Sequence, residues 1–349
     1  MGNRMMKAVV LHEFGGAEKL VVEEVEAPAA ERLREREVLI RVRAVGVCYH
    51  DLINRGGNLP RTKLPSVMGH EIAGEVMAAG AGVRWFRPGD RVATIQRVPC
   101  GRCDLCRRDR VSLCKEGVFF GEEIPGGYAE YVVAEEQGLS RVPEGIPMEE
   151  AAICACTIGT ALHVVRARGQ VAAGETVLIT GASGGVGLHA IQVCKMIGAD
   201  VVAVTSSPRK EARLREAGAD EVLVAPSLEF ARDARRRTGG RGVDVVLEIT
   251  GALTFDQALR SLAPAGRLIM VGNLETRPVS VMPGLLILKE LEIRGSFATS
   301  VQELQEAFNL VIEKKIKPVV SEILPLARAA DAHRMLHDRA VVGRVVLQV

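Results

Sequence analysis

The chain has 349 residues, of which 48% are hydrophobic and 25% charged, fractions close to those of average globular domains. This composition excludes a disordered or fibrous protein, and the length predicts two domains or slightly more. The 45 lysine and arginine residues are almost balanced by 43 aspartate and glutamate residues, which leaves a net charge of +2. So small a charge argues against a nucleic-acid partner, because such proteins neutralise many phosphates with basic side chains.

The N-terminus and the cysteine usage both predict a cytoplasmic protein. Residues 1–10 lack the long apolar segment and the cleavage site of a secretory signal. No apolar run approaches the ~20 residues needed to cross a bilayer, so we expect no membrane partner. In a cytoplasmic chain, cysteines (8 in this sequence) are better explained as metal ligands, a reactive thiol or core residues than as disulfides.

Short strands separated by glycine and proline dominate the chain from Met6 to about Ala155. The charged segment 29–37 between two of them is predicted to be a solvated surface loop. The predicted strands of this part are 38–45, 72–77, 91–93 and 128–133. They predict a compact, β-rich first domain.

From Glu175 onward, strands and helices alternate along the chain. Strands are predicted at 176–180, 201–205, 221–224, 243–249, 267–271 and 292–295, and helices at 185–197, 208–217, 228–237 and 255–262. Such alternation is typical of a doubly wound α/β domain, a parallel sheet with helices on both faces. The tail has predicted helices at 302–313 and 330–336 and strands at 323–326 and 343–347. We therefore expect domains at 1–156 and 157–298, with 299–349 packing back on the first.

A glycine-rich turn lies between the predicted strand 176–180 and the helix 185–197. Glycines there allow a tight turn and a close approach to a pyrophosphate, while the helix N-terminus offers free N–H groups to the anion. Because the turn lies inside a strand–helix–strand series, it predicts dinucleotide binding rather than a structural turn alone. The candidate residues are Gly181, Ser183, Gly184, Gly185, Val186 and Gly187.

The end of the following strand indicates which dinucleotide binds. NAD-binding domains place a carboxylate there for the ribose hydroxyls, but this chain has hydroxyl and basic side chains instead. These are Thr205, Ser206, Ser207, Arg209 and Lys210. Basic groups form charge-assisted hydrogen bonds with a 2′-phosphate, so we expect NADP(H) in preference to NAD(H). Alternatively, Arg209 and Lys210 are only a solvated first helical turn.

Four cysteines with the spacing C-x2-C-x2-C-x7-C lie in a lobe at about residues 97–116: Cys100, Cys103, Cys106 and Cys114. Four thiolates so close along the chain can surround one zinc ion tetrahedrally. An iron–sulfur cluster is the alternative, since it also uses four thiolates. A complete thiolate shell leaves no open position, so we expect this ion to stabilise the lobe rather than to bind substrate.

A second set of potential ligands lies in separate segments of the chain. Cys48 follows the strand 38–45, and His70 precedes the strand 72–77. A thiolate and an imidazole, joined by a further cysteine, form the three-ligand set that leaves a fourth zinc position open for substrate. Cys154 and Cys156 are the candidates for that third ligand, whereas Cys194 is predicted to be a core residue of the helix 185–197.

Together these motifs resemble the zinc-containing medium-chain dehydrogenase/reductase superfamily, the alcohol dehydrogenase superfamily, over essentially the whole chain. The superfamily motif G-H-E-x2-G-x-V corresponds to residues 69–76. The resemblance implies a GroES-like catalytic domain for 1–156 and a Rossmann coenzyme domain for 157–298. It also implies that Cys48, His70 and a third cysteine bind a catalytic zinc, that Glu71 can exchange in as a ligand, and that Asp51 orients His70.

Some members have the pattern A-A-x3-C-x3-T around the third ligand. Ala151-Ala152 and Thr160 fit this pattern when the cysteine is Cys156. The resemblance therefore favours Cys156 as the ligand and leaves Cys154 as a small core residue. Two zinc ions per subunit are expected, one catalytic and one structural.

In this interpretation zinc polarises the substrate oxygen while NADPH exchanges a hydride with substrate carbon across the cleft between the domains. Alcohol dehydrogenases of the superfamily usually have serine or threonine two residues after the first cysteine ligand, where this chain has His50. His50 is a candidate proton donor and acceptor, or else contacts a coenzyme phosphate. The relay histidine of some members corresponds to Ile53, so that route is absent.

These departures leave three functions open. The favoured one is interconversion of a small-molecule alcohol and its aldehyde or ketone by an NADP-dependent zinc enzyme of the alcohol dehydrogenase type. The second is reduction of an activated double bond, because 48–52, 181–193 and 253–256 also resemble archaeal NADPH-dependent acryloyl-CoA reductases and the quinone-reductase branch. The third is a nucleotide-binding protein without turnover. Three metal ligands at an open site argue against this last function.

The resemblance also implies weaker expectations for the coenzyme domain. Thr160, Gly272, Asn273 and Phe297 correspond to segments that line the nicotinamide half of the coenzyme in relatives. The strand 292–295 and the apolar segment 285–288 correspond to the edge through which relatives dimerise, so we expect a homodimer or homotetramer.

Overall fold

The computed structural model describes residues 4–349, which form two compact units. The first unit comprises the described residues up to Gly159 together with Ala298–Lys314 and Val320–Val349. The second unit comprises Thr160–Phe297 and Lys315–Val319.

The strands are numbered in chain order over the described residues. They are β1 Met5–Leu11, β2 Leu20–Glu26, β3 Glu37–Val47, β4 Ser66–Val67, β5 Glu71–Ala79, β6 Arg91–Thr94, β7 Arg97–Val98, β8 Val118–Phe119, β9 Tyr131–Glu135, β10 Leu139–Arg141, β11 Thr176–Ile179, β12 Asp200–Thr205, β13 Glu221–Val224, β14 Val243–Glu248, β15 Leu262–Met270, β16 Glu292–Gly295, β17 Val320–Pro325 and β18 Arg344–Gln348.

The helices are numbered in the same way. They are α1 Tyr49–Arg55, α2 Asp104–Arg107, α3 Met148–Cys154, α4 Thr160–Leu162, α5 Gly185–Ile197, α6 Glu211–Glu216, α7 Ala231–Arg237, α8 Phe255–Ser261, α9 Pro283–Lys289, α10 Val301–Ile312 and α11 Ala329–His337.

A seven-stranded sheet forms the centre of the first unit, in the order β10-β6-β5-β3-β18-β17, with β9 also paired to β3. The central strand β3 is buried along most of its length because its Val and Ile side chains pack on both faces. β5 runs antiparallel to β3 and pairs Glu71 with Gly46. This register places the end of β3 beside the start of β5, where three of the candidate ligands lie.

The sheet of the second unit has the order β13-β12-β11-β14-β15-β16, and all of its neighbouring strands are parallel. The predicted doubly wound α/β fold is therefore confirmed. The carboxyl ends of parallel strands lie at one edge of a sheet. The glycine-rich turn after β11, Thr205 at the end of β12 and Gly272 after β15 accordingly lie along the same edge.

Several predicted boundaries differ from the structure for local reasons. The helix predicted at 228–237 begins only at Ala231, because Leu228 has a left-handed φ of 62°. The segment 208–217 divides into a 3-10 turn, Pro208–Lys210, followed by α6. The strand predicted at 128–133 begins at Tyr131, since the Tyr128 N–H bonds to Met68 O outside the regular sheet.

One helical stretch requires a correction to the sequence analysis. Met148–Arg168 has 21 residues and a mean hydropathy of 1.3, which is long and apolar enough to cross a membrane. Within the fold, however, 78% of the most apolar segment of this stretch is buried. Burial of this kind is typical of a core helix of a globular domain. Two π-helical turns interrupt the stretch, at Ala155–Gly159 and His163–Arg168.

Candidate active site

Four potential metal ligands converge in the first unit. The sulfur atoms of Cys48 and Cys156, a ring nitrogen of His70 and a carboxylate oxygen of Glu71 all lie within 4.8 Å of one another. The sequence separates these residues by up to 108 positions, and the Cys48 and Cys156 Sγ atoms are 3.9 Å apart. The structure thus brings together all four residues predicted for the catalytic zinc.

Local structure explains how each ligand reaches the cluster. Cys48 follows β3 and caps α1, while His70 and Glu71 stand where the chain enters β5. Cys156 lies in the π-helical turn Ala155–Gly159, a wide turn that is frequent at functional sites. Cys154 is also buried, but its Sγ donates a hydrogen bond to Glu150 O at 3.2 Å and does not belong to the cluster.

The ligands strongly perturb one another's protonation. The Cys156 sulfur, with the charges of Arg344 and His70, holds the pKa of Cys48 well below its ordinary value, and the pKa of Cys156 is raised in turn. Burial lowers the pKa of His70, but the Asp51 carboxylate and Cys48 outweigh burial and raise it well above the ordinary value. The cluster therefore holds both a thiolate and protons that a bound metal would displace.

Glu71 is a buried carboxylate that forms an ion pair with Arg344. Burial raises its pKa to about 7. Arg344 Nη2 lies 2.9 Å from Glu71 Oε1 and 3.6 Å from Cys156 Sγ. Glu71 Oε2, by contrast, has no hydrogen-bond partner among the described residues. A Cβ at Gly46 would lie 2.1 Å from Glu71 Oε2, so only glycine leaves space for this carboxylate.

These donors fit zinc. Two sulfur atoms, an imidazole and a carboxylate are the ligand types that zinc prefers. A buried carboxylate oxygen without a hydrogen-bond partner, such as Glu71 Oε2, is rare in native proteins and suits a coordinating role. Cys48, His70 and Cys156 would provide the three protein ligands of an open site, with Glu71 as the ligand that can exchange in.

Asp51 holds two of the ligands in place. Its Oδ1 lies 3.0 Å from His70 Nδ1, and its Oδ2 accepts a hydrogen bond from the Cys48 backbone N–H at 2.8 Å. A carboxylate on one ring nitrogen leaves the other nitrogen of the imidazole for the metal. This geometry is the orienting contact that the resemblance implied.

His50 lies beside the cluster and is clamped by two residues that the sequence did not single out. Its Nε2 lies 2.7 Å from Glu122 Oε1, and its ring stacks on Phe119 at a centroid distance of 4.8 Å. The His50 and His70 rings meet edge to face at 5.2 Å. His50 retains 28% exposure and Glu122 9%. His50 and Glu122 are 72 positions apart, so no local sequence pattern predicts their contact.

The four cysteines of the lobe also converge. Their sulfur atoms lie within 4.8 Å of one another, with Cys103 Sγ 3.5 Å from Cys106 Sγ and 3.8 Å from Cys114 Sγ. Hydrogen bonding with the Cys106 backbone lowers the pKa of Cys103 to about 6, whereas burial raises the pKa of Cys106 to about 12. Four sulfur donors at these distances fit a closed tetrahedral zinc site.

The glycine-rich turn has the geometry of a close backbone approach. Gly181 has a φ of 56°, and a Cβ at Gly187 would lie 2.6 Å from both Ala182 Cα and Gly181 O. Gly185, Val186 and Gly187 form the first turn of α5, Gly184 is its N-cap residue, and Ser183 lies just before it. Glycine is therefore required where α5 packs on the turn.

The basic residues predicted for the 2′-phosphate lie next to this turn. Lys210 Nζ donates to Ser183 Oγ at 3.4 Å, and Arg209 is exposed. Thr205 Oγ1 accepts a hydrogen bond from the Ser207 N–H at 3.3 Å. The neighbouring Ser206 is half-buried.

The remaining predicted coenzyme residues lie elsewhere in the second unit. Gly272 and Asn273 follow β15, where a Cβ at Gly272 would lie 2.1 Å from Ile249 O. Thr160 is buried at the start of α4, and Phe297 is 46% exposed. Glu248, which the sequence analysis did not single out, is buried at the end of β14, and its Oε1 accepts a hydrogen bond from Thr180 Oγ1 at 2.7 Å.

Comparison with known proteins decides the family. The family model for the alcohol dehydrogenase GroES-like domain matches residues 34–144, and the zinc-binding dehydrogenase model matches residues 185–313. An acryloyl-coenzyme A reductase of Metallosphaera sedula is 37% identical over 98% of this chain and 99% of its own length. The chain belongs to the zinc-containing medium-chain dehydrogenase/reductase superfamily.

Other members of the superfamily are similarly close. An alcohol dehydrogenase of Geobacillus stearothermophilus is 34% identical over 99% of this chain and all of its own length. A solved structure described as the crystal structure of AibC is 55% identical, with a TM-score of 0.91, over 99% of this chain and 96% of that chain. The predicted oxidoreductase superfamily, with a GroES-like domain and a Rossmann domain, is thus confirmed.

Proposed function

We propose that this superfamily member is a zinc-dependent, NADPH-dependent reductase of a carbon–carbon double bond conjugated to a thioester carbonyl. The observation that carries the proposal is the His50–Glu122 pair, 2.7 Å between Nε2 and Oε1, beside the metal-ligand cluster. Zinc held by Cys48, His70 and Cys156 would act as a Lewis acid on the carbonyl oxygen, and NADPH would supply the hydride.

His50 has the surroundings of a proton donor to carbon. Reduction of the double bond adds the hydride of NADPH to the β-carbon and a proton to the α-carbon, so each turnover consumes one proton. The contact with Glu122 Oε1 holds one ring nitrogen of His50 in place, and stacking on Phe119 fixes the ring plane, so the imidazole is positioned to act as a proton donor. By contrast, alcohol oxidation requires that the proton released from the substrate oxygen reach solvent. Some members of the superfamily use a relay histidine at the position of Ile53 for this transfer, and isoleucine cannot carry a proton.

The likeness to an acryloyl-coenzyme A reductase, at 37% identity over nearly the whole chain, supports this substrate class. Interconversion of an alcohol and its aldehyde or ketone is the second candidate. It is supported by the Geobacillus alcohol dehydrogenase and by the metal-ligand cluster, which suits any substrate with a carbonyl or hydroxyl oxygen.

Cofactor oxidation by separate substrate panels distinguishes these functions. Purified protein with its zinc content measured would be incubated with NADPH and either enoyl-CoA thioesters, aldehydes or ketones. With the enoyl thioesters, we expect the absorbance of NADPH to fall and the saturated thioester to form as the product. Turnover with aldehydes or ketones alone would establish the second candidate. No turnover with any panel would favour a nucleotide-binding protein without activity.

We also propose two zinc ions per subunit, one in the cluster of Cys48, His70 and Cys156 and one in the four-cysteine lobe. All eight cysteines are free. Since thiolate sites of this kind require reducing conditions, we propose that the protein acts in the cytoplasm on a small molecule, without nucleic-acid or membrane partners.

NADP(H) preference is proposed to depend on Arg209 and Lys210. Replacing both by alanine removes two charge-assisted contacts with the 2′-phosphate. The KM for NADPH is then expected to rise roughly 10- to 100-fold while that for NADH changes by less than about 2-fold. Steady-state kinetics with both coenzymes measure the effect, and Arg213→Ala, which removes a solvated cation of α6, is the control. Equal losses with the two coenzymes would contradict the assignment.

A homodimer is proposed to form through the β16 edge of the second unit. β16 is the last strand of its sheet, and the adjacent α9 exposes Ile287 by 75% and Leu288 by 86%. An unpaired edge strand beside exposed apolar side chains is typical of a surface that pairs with a second copy. Light scattering is expected to give a dimer or tetramer for the wild type and a smaller species for Leu288→Glu. Trp85→Glu, at a 55% exposed residue of the first unit, should leave the mass unchanged.

A further inference from the structure

We propose that Tyr128 and His333 are positioning residues for the catalytic metal site. Together with Arg55 they set the direction of the hydrogen bonds that reach Asp51, and so keep His70 Nε2 available as a metal ligand. This inference rests on the proposed zinc site.

An unbroken series of contacts connects Arg55 to His70. Arg55 Nη1 lies 3.1 Å from His333 Nδ1, and His333 Nε2 lies 3.0 Å from Tyr128 Oη. Tyr128 Oη donates to Asp51 Oδ2 at 3.3 Å. Asp51 Oδ1 then lies 3.0 Å from His70 Nδ1. The contacts between Arg55 and His333 span 278 positions of the sequence.

All five side chains are buried. His333 and Tyr128 are fully inaccessible, while His70 is 1%, Asp51 2% and Arg55 7% exposed. In such surroundings an unpaired polar group is costly, so each polar atom of the series must be matched to its neighbour, one as the donor and the other as the acceptor. Their directions are therefore determined by chemistry.

Arginine determines the first direction, because a guanidinium only donates hydrogen bonds. His333 Nδ1 must accept from Arg55 and carries no proton. Burial lowers the pKa of His333 to about 4, so the ring is neutral and its one proton is on Nε2. His333 Nε2–H consequently donates to the Tyr128 oxygen.

The directions of the remaining hydrogen bonds, from Tyr128 through Asp51 to His70, follow in the same way. Since the Tyr128 oxygen already accepts from His333, its hydroxyl proton points to Asp51 Oδ2. Burial and the Asp51 charge raise the pKa of Tyr128, so that proton stays in place. Asp51 thus receives donors on both oxygens, and His70 donates through Nδ1–H. His70 Nε2, 3.9 Å from Glu71 Oε1, is then the ring nitrogen left for a metal within the ligand cluster.

Two members of the series, Asp51 and Arg55, lie on one helix. Asp51 and Arg55 are four residues apart in α1 and therefore lie on the same helix face. His333 comes from α11, which packs against α1. Arg55 Nε is itself fixed by Gly15 O at 3.0 Å. Relative movement of α1 and α11 would thus disturb the orientation of Asp51.

The test compares three variants. Tyr128→Phe removes the hydroxyl, and His333→Leu removes both ring nitrogens. His333→Gln keeps the direction, because its carbonyl can accept from Arg55 while its amide donates to Tyr128. Tyr131→Phe is the matched control, since it removes a tyrosine hydroxyl bonded to Arg4 elsewhere in the first unit.

The readout is release of zinc from the intact protein to a chromogenic chelator, with the four-cysteine lobe as internal standard. We expect Tyr128→Phe and His333→Leu to weaken retention at the catalytic site about 10-fold, the scale of contacts that orient metal ligands. Lobe zinc should be unaffected. His333→Gln and Tyr131→Phe should resemble the wild type at both sites.

A cobalt-substituted enzyme provides a second readout, since the visible absorption of Co²⁺ bound at the catalytic site reports its ligand geometry. Unchanged release and spectra in Tyr128→Phe and His333→Leu would overturn the positioning role, as would equal acceleration at both sites. If the wild type held metal only in the lobe, both the proposed function and this inference would be wrong. If Tyr128→Phe and His333→Leu altered zinc retention but the wild type showed no turnover on any substrate panel, only the proposed function would be overturned.

Discussion

Cys156→Ser is expected to lower kcat/KM by at least about 1,000-fold and to reduce the zinc content from two ions per subunit to one. Serine has nearly the same shape as cysteine, but its hydroxyl does not ionise near neutral pH and is a poor zinc ligand. Cys156 Sγ lies 3.9 Å from Cys48 Sγ inside the ligand cluster. The substitution therefore removes one of the three protein ligands with little change in packing.

Cys154→Ser is the matched control, two residues away in the same helical stretch. Cys154 is equally buried and donates to Glu150 O at 3.2 Å, a hydrogen bond that a serine hydroxyl can also form. We expect two zinc ions and near-wild-type kcat/KM. Elemental analysis and steady-state kinetics measure both variants. If Cys154→Ser lost the zinc and Cys156→Ser kept it, the assignment of the third ligand would be reversed.

Cys114→Ser is expected to release the other zinc and to lower Tm by at least about 10 °C. Cys114 is 1% exposed, and its sulfur accepts a hydrogen bond from the Cys100 N–H at 3.2 Å. The lobe has little apolar core of its own, since α2 contains no buried residue. A metal bound by the lobe would therefore supply much of its stability, because the binding energy of a structural zinc contributes directly to folding.

Zinc content and thermal unfolding distinguish this effect from ordinary core damage. Cys194→Ala serves as the control, because Cys194 is a buried cysteine of α5 outside both clusters. Its loss of packing should lower Tm by a few degrees, about 1–2 kcal/mol, with both zinc ions retained. A Cys114→Ser protein with two zinc ions and an unchanged Tm would exclude a structural metal in the lobe.

Both predictions concern cysteines, but the two clusters are not equally predictable from the sequence. The lobe ligands lie within 15 consecutive residues, from Cys100 to Cys114, so chain connectivity alone keeps their sulfur atoms close. The spacing is therefore sufficient to predict the cluster. The same holds for the glycine-rich turn, because the strand before it and the helix after it have local sequence signals.

The catalytic cluster depends on tertiary structure. The sequence offered two cysteines for the third ligand, and only resemblance to a family favoured Cys156. In the structure, the π-helical turn places Cys156 beside Cys48 and leaves Cys154 bonded to its own helix. Such a turn has no local sequence signal.

The sequence by itself determined the α/β fold class, the four-cysteine lobe and the glycine-rich turn, because these depend on periodicity and short-range spacing. Only the tertiary structure decided which residues surround them. Glu122 reaches His50 across 72 positions, Arg344 reaches Cys156 across 188, and His333 reaches Tyr128 across 205. These contacts follow from sheet register and helix packing, which no pattern of neighbouring residues encodes.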